Sequence, residues 1–270
     1  NGDGVPDLIT ASGAGIEARV RAWDGATARL IGDLTPFPGY QGGLWVAVGH
    51  VNRDGVRELA IGTDLGNVPH VKVFDASTFQ ERASFYAYDP GFVGGVRVAM
   101  GDLNGDGYDD LVTAPGFGAG SDIAMFDGRT LAPGVPTTRL FNDFYMYDPS
   151  MIAGVNLTVA DTDADGYADI ITGPAAGPAH LRVVSGRALT YGQGPVLLAS
   201  TILWAGEVSG LRVGGADADG DGRTDLLLAP GRPNAGRVGV MTASDLNPPN
   251  FDGIHWLDPL PGLSDGVFVA

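Results

Sequence analysis

The chain of 270 residues contains no cysteine, which excludes disulfide staples and thiolate metal sites. Positive charge is scarce: 16 Lys and Arg stand against 32 Asp and Glu, a formal net charge of −16 at pH 7. That balance opposes phosphate contacts, so it argues against nucleic acid or an anionic membrane surface as partner and favours a cation. Long apolar runs are missing too, since none approaches the roughly 18 residues of a membrane-spanning helix. The sequence opens on NGDG and not on a basic and then apolar leader, so any export signal is expected to have been removed or to lie outside it.

What is abundant points the other way from helices. The 43 glycines and 18 prolines exceed what helix interiors tolerate, and no segment carries a helical period. Short strands joined by many turns are expected, in a length that one large all-β domain can fill.

One stretch recurs. GDLNGDGYDDLVTAPG at Gly101 has relatives in NGDGVPDLITASG at Asn1, HVNRDGVRELAIGTD at His50, DTDADGYADIITGPA at Asp161 and DADGDGRTDLLLAPG at Asp217. Their central aspartates, Asp3, Asp54, Asp106, Asp165 and Asp221, are spaced by 51, 52, 59 and 56 residues, so five copies fill the chain. A short apolar stretch precedes the later loops: GLWVAVG at Gly43, GVRVAMG at Gly95, GVNLTVA at Gly154 and GLRVGG at Gly210, with GVFVA at Gly266 a fifth. Further strands follow each loop, HVKVFD at His70 and RASFYAY at Arg82 among them. Four short strands in a period of about 50 residues are the signature of a propeller blade. The expected repeats are 1–49, 50–100, 101–160, 161–215 and 216–270, together a single domain 1–270.

The loops themselves suggest a ligand. A hard divalent cation takes six to eight oxygen ligands at about 2.3–2.6 Å, and alternate side chains on a tight loop can supply them. The candidates are Asp102, Asn104, Asp106 and Asp110 with the carbonyl of Tyr108, then Asp161, Asp163, Asp165 and Asp169 with Tyr167, then Asp217, Asp219, Asp221 and Asp225 with Arg223. The first loop offers Asn1, Asp3 and Asp7 with Val5, and it lacks its first ligand. The second has His50 in place of an aspartate, Arg53 among Asn52 and Asp54, and Glu58 last, so it is expected to bind weakly or not at all. Ca2+ is the expected cofactor.

The apolar strand, the D-x-[DN]-x-D-G-x-x-D loop and the following TAPG or TGPA resemble FG-GAP repeats, the blades of integrin α-subunit propellers that also occur in bacterial surface and secreted proteins. The resemblance covers essentially the whole chain, and the blade count departs from that of integrins. It implies a calcium-binding, non-catalytic, extracellular or cell-surface propeller for adhesion, assembly or scaffolding, with a protein or glycan ligand. A glycan-binding module, or an accessory domain of a secreted polysaccharide-active enzyme, is the alternative. Against that alternative, Trp23, Trp45, Trp204 and Trp256 do not recur in register.

Other motifs lead to blander expectations. GFGAG at Gly116 precedes a strand, not a phosphate-binding helix, so it is read as a turn. His70 and His180 begin third strands and are read as blade packing. Tyr40, Phe92 and Met151 near the tips of the inter-blade connections are candidates for an apolar ring, or for caps on the core between blades. The ring is expected to close through Gly266–Ala270, which would give the first blade its inner strand.

Overall fold

The computed structural model describes residues 3–204, 206, 208–221, 223–231, 237–246 and 253–257. They form five antiparallel sheets, one per repeat, arranged as a five-bladed β-propeller. The first blade holds β1 (Leu8–Ala11), β2 (Val20–Trp23) and β3 (Leu30–Leu34). The second holds β4 (Leu44–Gly49), β5 (Glu58–Thr63), β6 (His70–Asp75) and β7 (Glu81–Tyr86). The third holds β8 (Val96–Gly101), β9 (Asp110–Pro115), β10 (Asp122–Phe126) and the two-residue β11 (Phe144–Tyr145). The fourth runs β12 (Val155–Ala160), β13 (Asp169–Pro174), β14 (His180–Val184) and β15 (Leu197–Ile202), and the fifth β16 (Leu211–Ala216), β17 (Asp225–Pro230), β18 (Val238–Met241) and β19 (His255–Leu257).

Two short helices, α1 (Gly186–Thr190) and α2 (Ala243–Leu246), join third to fourth strands in the last two blades. At five and four residues they are too short to leave a period in the sequence.

Register is repeated from blade to blade. Gly49 pairs with Glu58, Gly101 with Asp110, Ala160 with Asp169 and Ala216 with Asp225, so the acid that ends each loop always faces the last residue of the inner strand. A glycine with positive φ opens each of those strands: Gly43 at 92°, Gly95 at 76°, Gly154 at 83° and Gly210 at 86°. A Cβ on Gly95 would lie 2.4 Å from the Asp64 carbonyl carbon, and one on Gly210 would lie 2.5 Å from the Pro174 oxygen, so both handedness and space demand glycine there.

The cores lie between blades. Val51, Ala60 and Val73 of the second blade pack with Val96, Leu111 and Phe126 of the third, and Leu103, Ile123 and Met125 of the third pack with Ile170 and Val184 of the fourth. The second strands β5, β9 and β13 are buried along their whole length, as sandwiched strands should be. By contrast β1 alternates exposed and half-buried residues, and Leu8 is 59% exposed. Among the described residues β1 pairs with β2 alone. The strand Gly266–Ala270, expected beside it, lies outside the described residues.

Candidate functional site

In the second to fifth blades the acidic loop joins first to second strand, so these four open on one face, and the loop before β1 occupies the same place in the repeat. Their backbone has a fixed recipe. The fourth loop position is left-handed in four of them, Arg53 at 55°, Gly105 at 71°, Ala164 at 60° and Gly220 at 81°, and the glycine two residues later is left-handed at Gly55, Gly107 and Gly166. Two such residues in one turn fold the chain tightly and bring successive N–H groups round to the acidic side chains. Thus Asp161 accepts from the N–H groups of Asp165 at 3.1 Å and Gly166 at 2.9 Å, while Asp102 accepts from those of Asp106 at 3.1 Å and Gly107 at 2.7 Å. The fifth-position aspartate then holds the seventh residue: the N–H groups of Val5, Tyr108, Tyr167 and Arg223 donate to Asp3, Asp106, Asp165 and Asp221 at 2.8–3.0 Å.

The last acid of each loop has a second task. Fully buried Asp110 accepts from the N–H of Leu103 at 3.2 Å and of Gly128 at 3.0 Å. Asp169 does the same with Thr162 at 3.0 Å and Gly186 at 3.1 Å, and Asp7 with Gly25 at 3.0 Å. These carboxylates pin the loop to the end of the third strand. Burial pushes both Asp110 and Asp169 up to about 7, and the neighbouring loop acids Asp106 and Asp163 respectively add to the rise. Burial likewise raises Glu58, and it raises Asp163 together with the charges of Asp165 and Asp161.

Among the described residues three groups of carboxylates converge. One oxygen from each of Asp161, Asp163 and Asp169 lies within 4.8 Å of the others, and the same holds for Asp217, Asp219 and Asp225, and for Asp54, Glu58 and Asp75. Two oxygens that each sit about 2.4 Å from one ion can be no more than about 4.8 Å apart, so the spacing fits a shared cation. The donors are all oxygens, which suits calcium or another hard ion.

The fifth position behaves differently. Arg129 Nε lies 3.3 Å from Asp106 and Arg187 Nη1 3.8 Å from Asp165, each arginine following a third strand in a glycine-arginine pair. The amide of Asn104 also donates to Asp106 at 3.1 Å. In the first loop Asn1 lies outside the described residues.

In the second loop the left-handed turn carries Arg53 out of its own site. Its Nε donates to the Gly107 carbonyl at 2.8 Å, Nη2 donates to the Asp106 carbonyl, and the guanidinium sits 4.3 Å from the Tyr108 ring centroid, all on the third loop. The cation beside the second loop is instead Arg82, 3.5 Å from Glu58. His50 turns its Nδ1 to the Val56 carbonyl at 3.2 Å, and its N–H reaches Asp109 at 2.7 Å.

The opposite face carries the inter-blade connections. The Tyr147 hydroxyl donates to the His180 carbonyl at 2.7 Å and meets the Thr172 hydroxyl at 3.0 Å; Tyr88 reaches the carbonyls of Asp122 at 2.8 Å and Thr113 at 2.9 Å. Tyr40 donates to the Asp64 carbonyl at 2.6 Å. Tyr40, Phe92 and Met151 are each half-buried against their blades. The exposed ring is formed by other residues, Val93, Ile152 and Val208 beside Leu65 and Phe117, all more than half exposed. Hydrogen bonds from Gly66 to Val93, Gly118 to Ile152 and Gly177 to Val208, each 2.9 Å, set these tips side by side. His70 and His180 bond serines of the fourth strands, Ser84 at 2.8 Å and Ser200 at 2.9 Å, and pack within their blades.

Comparison with known proteins agrees with this geometry. Residues 94–123, which run from the inner strand of the third blade through its loop into β10, match the FG-GAP repeat. Integrin alpha-8 of Gallus gallus is 26% identical over 182 residues, covering 60% of this chain and 16% of that protein. Among solved structures, the rhamnogalacturonan lyase YesW superposes with a TM-score of 0.53 at 17% identity, over 91% of this chain and 48% of its own. The Dos1 propeller superposes with a TM-score of 0.51 at 13% identity, over 88% and 55%. These two likenesses are of fold. Among the described residues no helix is long and apolar enough to cross a membrane.

Proposed function

We propose that this FG-GAP β-propeller is a non-catalytic binding scaffold of a cell-surface or secreted protein, held rigid by calcium on one face and presenting its opposite face to a partner. The observation that carries the reading is the repeated convergence of carboxylates in successive blades, Asp161, Asp163 and Asp169 in one and Asp217, Asp219 and Asp225 in the next. Like charges this close repel unless a cation stands between them. Asp161, Asp163 and Asp169 would hold one ion and Asp217, Asp219 and Asp225 another. In the third loop Asp102 and Asp110 would do so against the competition of Arg129 for Asp106. Bound calcium would fix the loops that lock first strands to third strands through Asp110 and Asp169.

The extracellular setting draws support from the FG-GAP match and from the integrin relative. A ring of exposed aliphatic tips on the connection face supplies a surface for a protein partner, as in adhesion or assembly. The glycan alternative has one observation in its favour: Trp204 and Trp256, distant in sequence, meet at a tilt of 50° with ring centroids 5.2 Å apart, and Trp256 is 43% exposed.

Calcium titration of EDTA-stripped protein by calorimetry, with metal analysis of the native protein, tests the scaffold reading. Two or more bound equivalents and a raised melting temperature are expected. An unchanged melting curve with no bound metal would remove its foundation.

A further inference from the structure

The second residue of each inner strand occupies one register position. Trp45 pairs with Gly62, Arg97 with Ala114, Asn156 with Gly173 and Arg212 with Ala229. All four side chains line a central cavity of about 790 Å³, with Asp64 beside them. Farther along, the lining is mostly apolar, with Val46, Val98, Met100, Leu157, Val159 and Val213, while Thr158 and, from the first blade, Asp7 and Ser12 are its polar members. In a chain with half as many basic as acidic residues, two guanidiniums thus stand at one end of an apolar chamber.

Arg97 is 9% exposed and only partly satisfied. Its Nη1 donates to the Pro115 carbonyl at 3.2 Å, and its guanidinium lies 4.9 Å from the Trp45 ring centroid. Its Nε is buried with no hydrogen-bond partner. Nε has no accessible surface, so a ligand in the cavity meets Arg97 at Nη2, with Arg212 on the same lining ring to share its charge. Burial lowers Arg97 to about 10, Asp64 opposing the shift and Arg212 adding to it, so the group stays cationic at neutral pH.

We propose that the central cavity binds an anionic amphiphile, an apolar body ended by a carboxylate, with the carboxylate on Arg97 and Arg212 and the body along the valine and leucine walls. A bare ion would leave the apolar chamber unused. A neutral chain would bring no negative charge to the two guanidiniums, which have Asp64 beside them in the lining.

Calorimetric titration of the calcium-loaded protein with octanoate, octanol, acetate and inorganic phosphate tests this. Octanoate is expected to bind at one site at least about tenfold more tightly than the other three. Arg97→Gln should weaken octanoate about tenfold or more, and Arg212→Gln several-fold, with octanol unaffected. Melting curves report whether each variant folds; if Arg97→Gln does not, the half-buried Arg212→Gln decides. Octanol binding as tightly as octanoate, acetate or phosphate matching it, no octanoate binding, or an unchanged affinity in the folded variants would each overturn the proposal.

Discussion

Raising the pH of the calcium-free protein from about 5 to about 8 should destabilise it, and calcium should reverse that trend. The groups responsible are Asp110 and Asp169, which burial lifts from 3.8 to about 7 in the folded state. The folded protein therefore holds these protons more tightly than the unfolded chain. Their contribution is complete below about pH 4 and is lost as pH climbs through about 7. Of that rise about two units lie above pH 5, so at about 1.4 kcal/mol each roughly 3 kcal/mol per carboxyl is lost across the range. For a domain of this size that corresponds to roughly 6 °C of melting temperature per carboxyl. Calcium inverts the preference, because a cation binds the ionised form and displaces the proton. At free calcium about 100 times its dissociation constant each site adds about 2.7 kcal/mol. Differential scanning calorimetry in EDTA and in millimolar calcium across that pH range reads both effects. A melting temperature in EDTA that stays flat or rises with pH, or a calcium increment no larger at the alkaline end than at the acid end, would refute the reasoning.

Four other outcomes follow from the geometry. Tyr147→Phe removes a buried hydroxyl bonded to His180 and Thr172 and should cost about 1–2 kcal/mol, read as a fall in melting temperature. Gly95→Ala places a Cβ 2.4 Å from the Asp64 backbone in a left-handed residue and should cost roughly 3 kcal/mol or more in denaturant unfolding. Ala164→Gly relieves a non-glycine residue at φ 60° and should stabilise by about 1 kcal/mol, measured the same way. Asp161→Ala should remove one equivalent of tightly bound calcium in a titration, whereas Asp54→Ala should remove none, because Arg82 already faces Glu58 and His50 stands where a carboxylate would be.

Much of the fold could be read from the sequence because each blade repeats two periodicities in phase, an alternating inner strand and an eight-residue loop from Asp102 to Asp109 and its relatives. The convergence of Asp161, Asp163 and Asp169 was readable for the same reason: alternate residues on a tight turn share a side. The path of Arg53 was not, since a positive φ at the fourth position redirects a side chain that composition alone places in its own loop. Nor was the attraction of Asp106 to Arg129, whose only trace is the glycine-arginine pair at Gly128 and Gly186. The aliphatic tips Val93 and Ile152 were displaced by one residue from the larger side chains the sequence draws attention to, because Phe92 and Met151 fold back onto their blades. The arginines of the cavity were hidden by the inner-strand pattern, where one position accepts Trp, Arg and Asn alike.

The tyrosine anchors carry a consequence for how the chain is made. Every one of these hydroxyls reaches forward: Tyr40 to a carbonyl 24 residues later, Tyr88 to carbonyls 25 and 34 residues later, Tyr147 to one 33 residues later. A blade leaving the ribosome already carries, at its trailing end, the group that will seat the next one. Each seating waits for only a few seconds of further synthesis, at roughly 5–20 residues per second. Assembly can thus proceed in the order of translation, with each finished blade serving as the template for its successor and the apolar flank of the newest blade exposed only until the next arrives.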